Sequence, residues 1–424
     1  MRRSCSWLVT ATCVFCISSS GFSNGFKILE VQGARAAAQA DAFVAQADDP
    51  SSIAYNPAGL TQLEGTNITM GVSIVTGDTE RTSASGVKEE FEKIWHYVPN
   101  FFISSDINTE NIRVGLGVTA PFGMSSEWSD TGFARYVCTY SELQLINVNP
   151  TFAYKVNSEL SLGCGVDNYI SSAKLKSKAD YGLLFGFPGT MDGTNELTGD
   201  GSGWGYNLGA LYRPYEKHSF GLAYRSPVKV KYEGELNMTG IPALLVPATS
   251  LKSDAETSIN FPASLVAGYA FRPVQKIKIE YNLDWTLWNT LEELKIDAKN
   301  PVAPFLGDSV SKYDYQNTLA HKLGIEYSLK KNIKLRGGYT LNQNATPEKT
   351  FRPSLADADQ HHIGLGAGFE FKKFTVDIAG FAGISKKRTV NNNVDNNELI
   401  SSSSIDGEYE TTSTGFFTNI GYKF

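Results

Sequence analysis

The stretch Lys276-Ile277-Lys278-Ile279-Glu280-Tyr281-Asn282-Leu283-Asp284-Trp285-Thr286-Leu287 decides the fold. Ile277, Ile279, Tyr281, Leu283, Trp285 and Leu287 fall on one face. Lys276, Lys278, Glu280, Asn282, Asp284 and Thr286 fall on the other. Period two sustained over residues 276–287 marks a strand with two unlike faces, longer than the five or six residues usual in soluble sheets. Related alternation recurs at Phe220, Leu222 and Tyr224, at Ile333, Leu335, Tyr339 and Leu341, and at Phe416, Thr418, Ile420, Tyr422 and Phe424. Strands are predicted near 66–76, 96–105, 111–121, 141–155, 159–173, 203–213 and 218–232. Seven more are predicted near 256–271, 275–289, 316–329, 332–343, 359–371, 373–386 and 412–424. That makes fourteen, an even number, as in bacterial outer-membrane barrels. Segments 177–202, 233–255, 290–315 and 388–411 are polar or rich in Gly, Asn and Ser, and read as long loops at one rim.

Composition and targeting fit this reading. The chain has 424 residues, 42% of them hydrophobic and 19% charged, with 39 Gly, 24 Phe and 20 Tyr. That is too apolar for disorder and too polar for a bundle of membrane helices. A formal charge of −6 without any basic block argues against nucleic acid as a partner. Arg2 and Arg3 precede an apolar run from Trp7 to Ile17. Gly21 and Ser23 then suit a cleavage before Asn24, so residues 1–23 are predicted to be an export signal. No later segment offers the apolar run a spanning helix needs, so a membrane location requires a barrel. Cys138 and Cys164 are the only cysteines beyond the signal, and whether they are bridged is open.

Residues 24–65 break the alternation. Gly33 to Ala47 is Ala-rich and predicts a helix, stopped by Asp48, Asp49 and Pro50. Asn56, Pro57 and Gly59 then predict a turn. A compact segment ahead of a barrel at 66–424 is expected inside the lumen, as a mainly helical plug. In the third strand, Pro121 removes a ladder donor and Gly123 permits a backbone closed to other residues. The stretch Pro121-Phe122-Gly123 therefore predicts a kink or a strand end. His361 and His362 point to opposite faces of one strand, and His96, His218 and His321 are scattered. No catalytic constellation, metal site or cofactor is expected.

Several of these pieces, in order, resemble the FadL family of outer-membrane long-chain fatty-acid transporters. The pieces are Gly25-Phe26, Asp48-Asp49, Asn56-Pro57-Ala58-Gly59-Leu60, Ala120-Pro121-Phe122-Gly123 with Trp128, Asn149-Pro150-Thr151-Phe152-Ala153-Tyr154, Leu160-Ser161-Leu162-Gly163, Tyr224-Arg225-Ser226-Pro227-Val228-Lys229, Phe261-Pro262-Ala263-Ser264 and the terminal Phe424. The resemblance implies a fourteen-stranded barrel plugged by an N-terminal hatch carrying Asn56, Pro57 and Ala58. It implies passive uptake of hydrophobic molecules, with lateral exit at Pro121, Phe122 and Gly123. Phe424 would be the insertion signal read by the barrel-assembly machinery. The protein would be a monomer among outer-membrane lipids and lipopolysaccharide. The family's carboxylate-binding residues fall late in the fifth strand and before the tenth, where this chain has Lys174, Lys176 and Lys178, and Lys312. The first three share parity with the lipid-facing Leu160, Leu162 and Val166, so they need a bulge or a place above the membrane. An aromatic-hydrocarbon channel of the same architecture and a general porin are the competing functions; residues 24–65 argue against the second.

Overall fold

The computed structural model describes residues 24–28, 32–245, 250–301, 307–392 and 405–424. The export signal expected at 1–23 lies outside the described residues. Fourteen antiparallel strands form one closed wall. They are β1 (Thr66–Thr82), β2 (Lys88–Glu90 and Trp95–Ser105), β3 (Ile112–Thr119 and Gly123–Glu127), β4 (Tyr140–Lys155), β5 (Leu160–Asp180), β6 (Asp192–Tyr215) and β7 (His218–Arg225 and Val228–Thr239). The wall continues through β8 (Ser250–Phe261 and Ser264–Val274), β9 (Ile277–Thr286 and Glu293–Ala298), β10 (Ser309–Lys312 and Thr318–Lys330), β11 (Ile333–Asn342), β12 (Gln360–Phe371), β13 (Phe374–Ser385 and Arg388–Val390) and β14 (Gly407–Lys423). The barrel closes where β1 pairs with β14, from Asn67 opposite Lys423 to Thr82 opposite Glu408. No helix among the described residues is long and apolar enough to cross a membrane; the chain crosses with strands.

The alternation in β9 sorts as its chemistry demands. Tyr281 and Trp285 are exposed on the outer face, whereas Lys278, Glu280, Asn282, Asp284 and Thr286 are buried in the lumen. Outward Leu323, Ile325, Leu335, Ile363, Leu365 and Ile420 extend the apolar band around the wall.

Two expectations change. The segments read as loops at 177–202 and 233–255 are largely strand, because β5 to β8 rise beyond the apolar band as tall hairpins. Water reaches the outer face there, so apolar alternation disappears while cross-strand ion pairs such as Lys252–Glu235 (2.6 Å) take its place. The helix expected over Gly33 to Ala47 shrinks to α1 (Ala34–Ala37), followed by turns with positive φ at Ala40, Asp41 and Ala47. Further on come α2 (Ser52–Tyr55) and a 3-10 turn over Pro57–Gln62. The reason lies in the wall. Glu280 accepts hydrogen bonds from Ala45 N (2.7 Å) and Gln46 N (2.8 Å), and Thr340 donates to Ala40 O (2.6 Å). Backbone groups satisfied by wall side chains do not need a helix. Cys138 is buried, Cys164 is exposed, and both are free thiols.

Candidate functional site: the plugged lumen and the interrupted wall

The N-terminal segment fills the lumen by matching its polar groups to the wall. Asn56 accepts from Ala58 N (3.2 Å) and donates to Val44 O (2.9 Å) and to Ala210 O of β6 (3.0 Å). The Asn56-Pro57-Ala58 turn lies so close to β5 and β6 that a Cβ at Gly163 would stand 2.5 Å from Ala58 N, and one at Gly209 2.2 Å from Asn56 Oδ1. Glycine is what lets the turn dock there.

Charge holds the remainder in place. Arg35 pairs with Asp48 (2.7 Å) and with Glu326 of β10 (3.3 Å), and Lys278 of β9 also reaches Asp48 (2.9 Å). Against burial, Arg35 and Lys278 hold the Asp48 carboxyl well below its ordinary range. Lys27 pairs with Asp284 (2.9 Å), which also receives Lys322 (3.0 Å). Pairs of this kind carry heavy desolvation costs, and breaking one by removing a partner is strongly unfavourable. They therefore fix where the segment sits more than how stable the barrel is.

The wall is interrupted beside this segment. β2 and β3 pair only from Phe101 opposite Val118 to Ser105 opposite Val114. Above that, Trp95 to Asn100 pair with β1, while Gly123 to Glu127 pair with β4. The two rims meet again where Glu92 N donates to Glu127 O (2.9 Å). Pro121 and Pro99 lie on the facing rims of the break, where a missing N–H does least harm. The N-terminal segment supplies the lost partners: Ile28 N donates to Pro121 O (3.0 Å), Gly123 N to Phe26 O (3.0 Å) and Gln32 Nε2 to Ala120 O (2.9 Å). Ile28, Val98, Ala120, Phe381 and Phe417 form an apolar lining behind the break. Phe122 turns into the lumen and packs with Phe26 (ring centroids 6.2 Å apart) and Phe261 (5.0 Å), while Phe26 meets Trp288 at 4.7 Å.

Above this aromatic cluster is an apolar cavity bounded by Phe26, Leu143, Tyr232, Ile259, Leu291 and Tyr315 among others. Its lining suits an apolar molecule. The basic residues taken from the fifth and tenth strands do not line it. Leu175 faces the cavity, so Lys174 and Lys176 face outward, where both meet Glu196 (3.3 and 3.1 Å). Lys178 pairs with Asp130 (2.8 Å), and Lys312 is exposed opposite Glu293. The structure instead places Arg352, from the connection between β11 and β12, behind the cavity wall, which it does not itself line. Its guanidinium is 5.9 Å from the centre of the Tyr313 ring, and Tyr313 lines the cavity. Its Nε is buried without a hydrogen-bond partner, and among the described residues no carboxylate pairs with it. The neighbouring Arg388 is committed to Asp357 O (2.5 Å) and Thr346 O (2.7 Å). Sequence reasoning missed Arg352 because nothing in a connecting segment sets an inward Arg apart from a solvated one.

A closed wall with an apolar outer band, a lumen plugged by the chain's own N-terminus and a mainly apolar cavity define an outer-membrane passage for apolar solutes. The chain belongs to the outer membrane protein transport family (OMPP1/FadL/TodX), whose profile matches residues 14–424. It is similar to the long-chain fatty acid transport protein of Escherichia coli K12, 25% identical over 407 residues, covering 87% of this chain and 89% of the relative. Outer membrane protein P1 of Haemophilus influenzae Rd is 24% identical over 423 residues, covering 89% of each. Among solved structures, a Pseudomonas aeruginosa FadL homologue has the same fold (TM-score 0.82, 20% identity, 94% of this chain and 100% of that one). So does the Pseudomonas putida toluene transporter TodX (TM-score 0.73, 17% identity, 94% and 99%). This chain is an outer-membrane transporter of hydrophobic compounds, and not an enzyme.

Proposed function

We propose that the transported compounds are long-chain fatty acids, taken up by passive diffusion. The Arg352 guanidinium, behind the Tyr313 wall of the apolar cavity and without an acidic partner among the described residues, carries this reading. A carboxylate entering a dry cavity needs a counter-charge, and the planar guanidinium of Arg suits it. The name of the Escherichia coli relative, a long-chain fatty acid transport protein, supports the same class. From the cavity the solute moves past Phe26 and Ile28 and leaves sideways through the interruption between β2 and β3. Residues 24–65 act as the hatch and move only enough to clear that path. An open general porin is disfavoured by the way these residues fill the lumen.

The test is uptake of labelled oleate by cells carrying the parent or Arg352→Gln at matched surface levels, with toluene as the neutral control. Loss of a charged hydrogen bond of about 1.5–3 kcal/mol lowers oleate uptake at limiting concentration by tenfold or more and leaves toluene unchanged. Oleate uptake indifferent to the substitution would refute the assignment. Toluene uptake without any oleate uptake by the parent would favour the aromatic-hydrocarbon channel instead.

A further inference from the structure

Four adjacent strands carry small residues at one level of the inner wall. Ala173, Gly199, Gly234 and Ala255 are successive ladder partners from β5 to β8. All four line the apolar cavity. On the extracellular side the next inward residues of β5 and β6 are Leu175 and Leu197, themselves partners. On the hatch side stands Tyr232. Leu143, the β4 partner of Ala173, closes one end. Missing side chains between Leu175 and Leu197 on one side and the Tyr232 ring, whose hydroxyl donates to Ser171 Oγ (2.7 Å), on the other leave a trench that runs across the strands. From β5 to β8 it spans three strand spacings, about 14 Å.

We infer that this trench selects an unbranched aliphatic chain lying across the strands, and that Gly199 is its specificity-determining residue. The inference rests on the proposal that the cavity holds the transported solute, and it adds the shape of that solute. A compact ring fills one part of such a trench and gains nothing from its length. A linear chain gains apolar contact with every carbon laid along it, roughly 0.8 kcal/mol per buried CH₂.

The two glycines differ in a way that makes the test clean. A Cβ at Gly234 would lie 1.8 Å from Thr198 O, so that glycine answers the close approach of β6 and β7. A Cβ at Gly199 would stand 3.4 Å from Glu233 O and 3.5 Å from Tyr232 Cβ, which is ordinary contact. A side chain there fits the wall and grows into the trench.

The experiment measures binding of straight-chain alcohols from hexanol to hexadecanol, and of toluene, to the full-length protein in amphipol, by displacement of a fluorescent polyene fatty acid. For the parent, affinity should climb with chain length. For Gly199→Leu the climb should stop several carbons earlier, with hexadecanol at least tenfold weaker and hexanol and toluene within twofold. Ala173→Leu, one strand away, should behave likewise, and Gly199→Ala should bind hexadecanol within twofold of the parent. Affinity independent of chain length in the parent, or equal weakening of short, long and aromatic ligands in both leucine variants, would overturn the inference. Uncharged alcohols separate this result from the Arg352 reading: a length-dependent series with no preference for acids over alcohols would leave the trench intact and remove the carboxylate site.

Discussion

Replacing Pro121 and Gly123 together with valine tests lateral exit directly. Continuing the register in which Phe101 faces Val118 would add six pairs, from Asn100–Thr119 to Trp95–Met124. Each pair offers on average one ladder bond. Pro99 still lacks a donor, whereas valine at 121 restores one, so about five bonds become available. At about 1 kcal/mol net per bond, closure gains about 5 kcal/mol. It displaces the three bonds from Ile28, Phe26 and Gln32 to the β3 rim, worth about 3 kcal/mol on the same scale. The balance of about 2 kcal/mol shifts the wall towards the closed form by about 30-fold. A Cβ at residue 123 would approach Ile28 Cδ1 to 2.9 Å, a flexible tip that can yield. The assay is uptake of labelled oleate, and separately of toluene, by cells with parent or double mutant at matched surface levels. Uptake of both should fall by about the same factor as the closure constant, while ligand binding by the purified protein persists. Normal uptake of both solutes would refute lateral exit, and would point downward through the lumen instead.

Deleting residues 26–60 should turn a nearly silent barrel into a leaky one in planar bilayers; unchanged conductance of the folded deletion would place the hatch outside the conduction path. Removing Phe424, whose amide donates to Thr66 O (2.9 Å) and whose ring meets Tyr422 at 4.7 Å, should reduce the heat-modifiable barrel in the outer membrane; unchanged yield would show that the insertion signal lies elsewhere. Asp357 receives Asn24 N (3.2 Å) and Gly25 N (3.3 Å), and burial pushes its carboxyl up to about 6 from an ordinary 3.8. A carboxyl that binds its proton more tightly in the seated state favours seating at low pH, and loses that advantage as pH rises from about 4 to about 6. Brief channel openings should therefore become more frequent from pH 4 to 6 and level off above, and Asp357→Asn should flatten the profile. Openings that are equally frequent across that range would show that Asp357 does not control seating.

The wall was legible because lipid and lumen impose opposite chemistry on alternate residues; Lys278 to Leu287 displays that contrast without help from neighbours. Beyond the apolar band the contrast vanishes, so the upper halves of β5 to β8 read as loops although their backbones continue the ladder. The N-terminal segment was legible as a plug, from its composition, but not as a fold. Ala40 to Ala47 takes its shape from Glu280 and Thr340, which are some 240 and 300 residues away. The break was legible because Pro121 carries its meaning in the backbone; Gly123 does not have the positive φ expected of it, and is small because a Cβ there would stand 2.9 Å from Ile28 Cδ1. The charges were not. Lys176, Lys178 and Lys312 have the right chemistry on outward or exposed positions, whereas Arg352 becomes interesting only once a connection between two strands is folded against the cavity.

The pairing of β1 with β14 also sets an order of events in assembly. Asn67 and Lys423, opposite one another, are among the most distant partners in the chain, and contacts of such long sequence separation form slowly. The hatch leads directly into β1, and it is bonded both beside the seam and far from it: Ala34 N donates to Asn419 Oδ1 of β14 (2.6 Å), and Trp288 Nε1, in the turn that interrupts β9, donates to Asn24 Oδ1 (2.8 Å). Once the seam zips, a closed wall offers no edge past which residues 24–65 could thread. The plug must already be indoors when the last strand arrives. A substitution that merely delays its collapse would then leave an empty, leaky barrel even though every bond of the seated hatch remains available to the mutant sequence: a defect of timing, not of contacts.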